Sequence, residues 1–573
     1  MLLSVFGFIL DLLRLPFRLL GRVRASSDVF VTLTIDGPVA DIVARPRFWE
    51  VRRKRATSLH EVAELVDAVV VDAHVRGLLV TLKHLGGGMA TAISLRALLA
   101  RVKDAGKEVV VQLPLGGGSK EIIAASSATK LLVGPTAQIA PLGFLSQHRY
   151  VKRALDNAGI EPEVFACGEF KSAGETLVRN TMSEGQREQL DELLDRFQDA
   201  LLVAVMEKTN GSRESASAVI DGSPYFGAAA VGAGLADAAV YEDEVFRAIG
   251  LTDAHPTRHV VESDAFMAQK KPLLRPILPR PIVAVIPVHG AIAHASSPFG
   301  SFATDEQVTG MVRRARLSRR VKGVILHVDS PGGSALASDR MHHEIEMLAR
   351  EKPVVTCMAN VAASGGYYVA APTQRIVCES MSVTGSIGVV GARLTFEPLL
   401  ARLGIHTETL RRGAHVGLLS PTSPISDDER AALRRELDAT YHAFVRVVAS
   451  GRKMREDEVE ALARGRVYTG AEALKKGLVD HVGGFDVAIR ELRKLLPEAT
   501  RASAVPVVLR PPRQPIPVLD PPEPKESARA VGLAFLQAIL PSRELVLVSL
   551  AARGERALLV WTGFSGVGNE PRD

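Results

Sequence analysis

Val321-Lys-Gly-Val-Ile-Leu-His-Val-Asp-Ser-Pro-Gly-Gly-Ser334 decides how this 573-residue chain is read. A charged lead gives way to an apolar run, then to a turn of small residues, and a helical pattern follows. The same plan stands 246 positions earlier, at Val75-Arg-Gly-Leu-Leu-Val-Thr-Leu-Lys-His-Leu-Gly-Gly-Gly88. Lys107–Gly143 then matches Lys352–Gly388 without a gap at an offset of 245, and Tyr225-Phe-Gly-Ala…Gly-Leu-Ala-Asp237 matches Tyr468-Thr-Gly-Ala…Gly-Leu-Val-Asp480. A period this long is not a solenoid repeat. It is the duplication of a whole domain.

Within the second copy, Ile282–Val288, Val324–Val328, Val354–Met358 and Arg375–Cys378 read as strands, and Ala337–Arg350 and Ser364–Ala371 as helices between them. Strands alternating with helices predict an α/β fold with parallel strands and crossover helices. Asp427–Gly451 and its partner Ser183–Lys208 read as charged helices. The expected organisation is an amphipathic segment at 1–26, a first domain at 27–265, a second at 275–500 and an extension at 501–573. In that extension Val505–Pro524 carries eight prolines and reads as an extended linker or surface arm, and Ser527–Trp561 as a short helix and another apolar element.

Composition narrows the function classes. An apolar share of 47% and a charged share of 23% exclude a disordered, collagenous or multi-span membrane chain. A net charge of +6 on 573 residues, without a zinc-finger, RNA-binding or basic-zipper signature, argues against a nucleic-acid partner. Cys167, Cys357 and Cys378 are too few and too scattered for a disulfide framework or a cysteine-built metal site, and read as buried thiols. At the N-terminus the apolar run Met1–Leu10 is shorter than a bilayer span needs. Arg14, Arg18 and Arg22 share one helical face and apolar residues crowd the rest, so residues 1–22 are expected to lie in a membrane interface.

Two turns carry chemistry. Asp329-Ser-Pro-Gly-Gly-Ser334 joins a strand to a helix, where glycines let backbone N–H groups converge on one point. Such donors make an oxyanion hole. In Val361-Ala-Ala-Ser-Gly-Gly-Tyr367, Ser364 stands at a helix start as either a nucleophile or a plain N-cap, and the Gly365 N–H is placed to join Gly333 in the hole. No histidine of the second half sits in a motif with an aspartate partner, so a Ser-His-Asp triad is not supported. A desolvated lysine is the alternative base, and spacing does not single one out.

Asp329-Ser-Pro-Gly-Gly-Ser334, Ala362-Ala-Ser-Gly-Gly-Tyr367, Thr384-Gly-Ser-Ile-Gly388, Val467-Tyr-Thr-Gly470 and Gly477-Leu-Val-Asp480, with Gly168-Glu-Phe-Lys-Ser-Ala173, Arg179 and Met182-Ser183 in the first copy, resemble peptidase family S49. The form resembled is the long, tandem-domain one, the signal peptide peptidase A or protease IV group. The resemblance covers about Asp28 to Leu495. It implies two tandem ClpP/crotonase-like domains, a serine nucleophile at Ser364 and a general-base lysine at Lys171, supplied by the first domain. It further implies an oxyanion hole of Gly333 and Gly365, and Ser386 orienting the lysine. Val416 stands where the second copy would repeat Lys171. In the first copy the serine position is Ser119, but Lys120-Glu121 replace the two glycines, so Ser119 is expected to be a turn residue. The resemblance implies no metal or organic cofactor. It implies apolar peptide substrates such as cleaved signal peptides, and a homo-oligomer, a tetramer. The place implied is the bacterial cytoplasmic membrane, held peripherally or at its interface. Long relatives often carry a full transmembrane helix, and the short Met1–Arg22 departs from that pattern. The rival readings are a non-catalytic membrane scaffold of the same fold and a crotonase-type acyl-CoA enzyme.

Overall fold

The apolar run Val324–Val328 lies inside the strand Val321–Ser330, which is buried along almost its whole length. Alternate side chains go to opposite faces. Val324, Leu326 and Val328 join one apolar cluster, and Ile325 joins another with Val283, Val285, Val355 and Val377. Strands covered on both faces belong to parallel sheets. In this one Val505–Val508, Ile282–His289, Val321–Ser330 and Val354–Ala363 run parallel, side by side. Arg375–Cys378 and then His481–Val482 continue the sheet beside the first half of Val354–Ala363. Val383–Gly385 pairs with its second half, and Val467–Thr469 closes antiparallel against that.

The computed structural model describes residues 28–44, 56–251, 259–270, 279–294, 302–511 and 558–560. The first domain repeats the same sheet in the same order: Val260–Glu262, Val29–Gly37, Val75–Leu85, Glu108–Leu113, Lys130–Val133 and Ala238–Ala239, all parallel. The crossover helices repeat too. Met89–Asp104 corresponds to Ala335–Glu351, and Glu184–Thr209 to Asp427–Arg452. The last two start at serine N-caps, Ser183 and Ser426, whose hydroxyls accept from the N–H groups of Gln186 and Glu429.

The reading of Val505–Pro524 as an arm is corrected at its start. Val505–Val508 is the edge strand of the second sheet, so that sheet continues past residue 500. It occupies the place that Val260–Glu262 holds in the first sheet. Pro506 is tolerated because an edge strand leaves one side of its backbone outside the ladder. The expected interfacial helix at 1–22 and the proline-rich stretch from residue 512 lie outside the described residues. Among the described residues no helix is long and apolar enough to cross a membrane. Cys357 and Cys378 are buried as expected, whereas Cys167 is only partly so.

One strand of the first domain crosses into the second. Glu161–Cys167 leaves the first domain and pairs antiparallel with Val389–Thr395 of the second, from Glu161↔Thr395 to Cys167↔Val389. Ala363, Val383 and Val467 of the second domain pack into the first domain's apolar cluster. This crossing strand ends four residues before Lys171 and so carries it into the second domain.

Candidate active site

Ser364 follows the strand Val354–Ala363 and precedes the helix Gly365–Ala370. Its φ of 56° and ψ of −115° put it in a conformation rarely adopted by residues with a side chain. Its side chain caps nothing, which removes the plain N-cap reading. The Ser364 N–H donates to the Gly385 carbonyl at 2.8 Å, and its neighbours Ala362, Ala363, Gly365 and Gly366 are buried. Small buried residues leave the hydroxyl fixed at the bottom of a turn.

Lys171 reaches that hydroxyl from the other domain. Its Nζ lies 2.7 Å from Ser364 Oγ, 3.0 Å from the Ser386 carbonyl oxygen and 3.0 Å from Ser386 Oγ. Ser364 and Ser386 have no exposed surface and Lys171 only 4%. Among the described residues no carboxylate pairs with Lys171. Burial without a counter-charge disfavours the ammonium, and desolvation holds this amine well below the usual lysine range. An ammonium would donate to all three oxygens; a neutral amine would donate to the two Ser386 oxygens and turn its lone pair to the Ser364 hydroxyl.

Gly333 and Gly365 lie close together. A Cβ on Gly365 would lie 3.3 Å from the Gly333 nitrogen. Gly333, in the short strand Gly332–Ser334, is tied to Ile292 of the neighbouring strand, and a Cβ there would overlap the Ile292 carbonyl. Only glycine lets this backbone approach so closely.

The corresponding place in the first domain is filled. Lys120 Nζ donates to the carbonyls of Leu85 and Gly87, and Glu121 accepts from the N–H groups of Gly118 and Leu85. Ser119 Oγ is held by the Gly143 backbone, donating to its carbonyl and accepting from its N–H. Val416, at the repeat position of Lys171, is half exposed.

Two features escaped the sequence. The first is Arg464-Gly465-Arg466, which threads between the loops that carry Lys171 and Ser386. The Arg464 carbonyl accepts from Phe170 N–H, the Arg466 carbonyl accepts from Ser386 N–H, and Gly465 N–H donates to the Ile387 carbonyl. Gly465 has φ +83°, and a Cβ there would stand 2.5 Å from the Lys171 nitrogen. Arg466 lies over the Phe170 ring and pairs with Glu192. The second feature is a hydroxyl–imidazole–carboxylate chain. Ser334 Oγ lies 3.4 Å from His294 Nε2, and His294 Nδ1 lies 3.0 Å from Asp305 Oδ2. The first joins segments nearly 300 positions apart; in the second, His294 and Asp305 are 11 positions apart and Ser334 is 40 from His294, with no motif linking the three.

Comparison with known proteins now bears on this geometry. The description Peptidase family S49 matches residues 101–252 and 346–498, one stretch in each domain. The chain is 33% identical to the chloroplastic serine protease SPPA of Arabidopsis thaliana over 82% of its own length and 69% of the relative's. It is 26% identical to Protease 4 of Haemophilus influenzae, covering 82% of this chain and 80% of that one. Against Protease 4 of Salmonella typhi the figures are 29%, 77% and 73%. Among solved structures it aligns with ClpP1 of Listeria monocytogenes at 14% identity and a TM-score of 0.24, over 35% of this chain and 92% of that one. A duplicated α/β domain matched in both halves, with relatives that share most of its length, places the chain in peptidase family S49, as a serine protease.

Proposed function

We propose that the chain hydrolyses apolar peptides by a Ser–Lys dyad, with Ser364 as nucleophile and Lys171 as general base. The observation that carries this reading is the 2.7 Å contact between Ser364 Oγ and a buried Lys171 Nζ. Neutral Lys171 takes the hydroxyl proton as Ser364 Oγ attacks the peptide carbonyl. The N–H groups of Gly333 and Gly365 stabilise the oxyanion. Lys171 then returns the proton to the leaving amine, and water, deprotonated by the same amine, releases the acyl group. Ser386 holds the amine's two N–H bonds, so its lone pair faces Ser364.

A Ser334–His294–Asp305 site is the second reading, because its hydrogen bonds run in the order of a triad. Ser334 Oγ, however, accepts from the Ala337 N–H as the cap of Ala335–Glu351. One lone pair of that oxygen is therefore given to the helix, and Asp305 Oδ2 is shared with the Arg340 guanidinium. The test is intact-mass detection of a fluorophosphonate adduct beside hydrolysis of an apolar fluorogenic peptide. Labelling and turnover should vanish in Ser364→Ala and Lys171→Ala and persist in Ser334→Ala and Ser119→Ala. Loss confined to Ser334→Ala would move the nucleophile there. A folded wild type with neither labelling nor turnover would favour the non-catalytic scaffold, and thioester turnover independent of Ser364 the acyl-CoA enzyme.

The same reading includes assembly and a membrane surface. The duplication supports assembly. Glu161–Cys167 pairs with Val389–Thr395 inside the chain. By the repeat offset their counterparts are 406–412 and 144–150, which form no strand. Leu410 is 94% exposed and Leu145 59%. A second copy joined head to tail would repeat the internal pairing, and successive copies would close into a ring. Residues 1–22 would hold the assembly at the interface of a membrane, a bacterial cytoplasmic membrane on the reading above.

A further inference from the structure

One face of the second domain's sheet carries three side chains able to ligate a metal. His327 and Cys357 stand opposite each other on the neighbouring strands Val321–Ser330 and Val354–Ala363. His289 stands on the next strand, two residues beyond Pro287, the partner of His327, and so shares that face. The cluster around them is apolar, with Val285, Ile325, Val355 and Phe485, and Ile42 of the first domain packs against it. Ile42 seats its neighbour Asp41, whose Oδ2 lies 2.7 Å from His327 Nε2. His327 Nδ1 lies 2.7 Å from His289 Nε2. One ligand atom from each of Asp41, His327 and Cys357 lies within 4.8 Å of the other two, and among the described residues no other three such side chains converge so closely. The hydrogen-bond chain from Asp41 through His327 to His289 leaves the thiol out: among the described residues Cys357 Sγ makes no hydrogen bond. His327 is 5% exposed and Cys357 1%, and the Phe485 ring stands edge-on to the imidazole at 5.9 Å. No peptide reaches groups so enclosed, but an ion can, from the seam side where Asp41 is partly exposed.

We propose that Asp41, His327 and Cys357 form a zinc site that pins the first domain to the second, with His289 orienting His327. A sulfur, an imidazole nitrogen and a carboxylate oxygen are the mixed donors that suit zinc, whereas magnesium and calcium take oxygen alone. One thiolate and one carboxylate neutralise the dication, so the buried site carries no net charge. His289 gives the support that a ligating imidazole needs: its Nε2 accepts from His327 Nδ1–H, which turns the His327 Nε2 lone pair toward the ion. Binding releases the Cys357 thiol proton and sets both imidazoles in their Nδ1–H tautomers. Asp41 also borders a small cavity with Ser94, Asn360 and Glu379, where a water supplies the fourth ligand of a tetrahedral ion. Glu379 accepts from Ser94 Oγ and stays outside the set. The site lies away from Ser364 and Lys171 in the chemistry it performs: it holds together the two domains that each supply half of the dyad.

The test uses the purified full chain, stripped with a chelator and titrated with cobalt(II), a zinc substitute whose bond to a thiolate absorbs in the near ultraviolet. Wild type should develop this band, saturating at one cobalt per chain and displaced by zinc, and zinc should raise the melting temperature of the stripped protein. Cys357→Ser should lose the band and Cys167→Ser should keep it. Asp41→Asn, a change at the partly exposed edge of the seam that leaves the apolar cluster intact, should bind zinc more weakly than wild type. His289→Gln should raise the zinc Kd about 10–100-fold. A folded wild type without the band, or with a melting temperature that zinc does not move, overturns the proposal and leaves a seam held by hydrogen bonds alone. So does a band that survives Cys357→Ser, or equal zinc affinity in Asp41→Asn and wild type.

Discussion

Ser364 and Lys171 are 193 positions apart in sequence and 2.7 Å apart in space. Burial is what makes the pair chemically useful. An exposed lysine is protonated near neutral pH, with an ordinary pKa of about 10.4. Desolvated among Ser364 and Ser386, Lys171 is shifted toward the neutral base. Peptide hydrolysis should therefore fall on acidification, with its lower limb set by Lys171 well below the ordinary lysine pKa. Lys171→Arg, whose guanidinium stays charged, should be inactive across that range. Ser364→Ala should lose on the order of 10⁴-fold in kcat/KM or more. Stability moves in the same direction with pH. The folded pKa is depressed, so stability is lost as pH falls from the unfolded lysine value toward the folded one. At pH 7 Lys171→Met should keep or raise the melting temperature while abolishing turnover, as thermal unfolding of both variants would show. Small neighbours and a strand-to-helix turn marked Ser364 only as a candidate, nucleophile or N-cap, and the family resemblance gave it the nucleophile's role. Lys171 was legible only through family resemblance, because nothing local marks Glu169-Phe-Lys171 as a loop that crosses between domains.

At the scale of elements, the site depends on one short segment. Arg464-Gly465-Arg466 fixes the Lys171 loop on one side and Ser386 on the other. Gly465→Ala adds a Cβ against the Lys171 backbone at a positive φ, a strain of about 1–3 kcal/mol. The expected outcome is a kcat at least about tenfold lower, with KM little changed and the pH–rate profile shifted as the amine's surroundings loosen. An unchanged pH profile would make Gly465 a folding residue only. The parallel strands and their helices were readable from periodicity, because a doubly covered strand needs a continuous apolar run. The edge strand Val505–Val508 was not, because its prolines and polar flanks look like linker and its partners lie over 200 residues earlier.

The whole molecule is held by the seam between its two domains, which is also polar. Ser94 Oγ donates to Glu379 Oε1 at 2.7 Å, and Asn360 accepts from the Thr91 backbone N–H at 3.3 Å. His327 bridges Asp41 of the first domain and His289, each at 2.7 Å. Burial raises the Glu379 carboxyl to about 7, so it crosses the seam as the neutral acid below that pH. A raised folded pKa gives stability that is present below the unfolded value near 4.5 and lost as pH rises through about 7. Glu379→Gln should therefore be more stable than wild type at pH 8, by at most about 3 kcal/mol, and nearly equal to it at pH 5. Thermal melts at the two pH values check this. An equal effect at both would place the gain in packing rather than in charge.

The duplication itself was plain in the sequence, and with it the two sheets. The crossing of Glu161–Cys167 was not, because a crossing strand has no local signature, and it is this crossing that brings Lys171 to Ser364. The most direct measurement of that claim is the rate of fluorophosphonate labelling against pH, read by intact mass for wild type, Ser364→Ala and Lys171→Met. One adduct in wild type, with a rate that falls on acidification, and none in either variant is the predicted result. Labelling of Lys171→Met at the wild-type rate, or of Ser364→Ala at all, would contradict a serine activated by the lysine of the other domain.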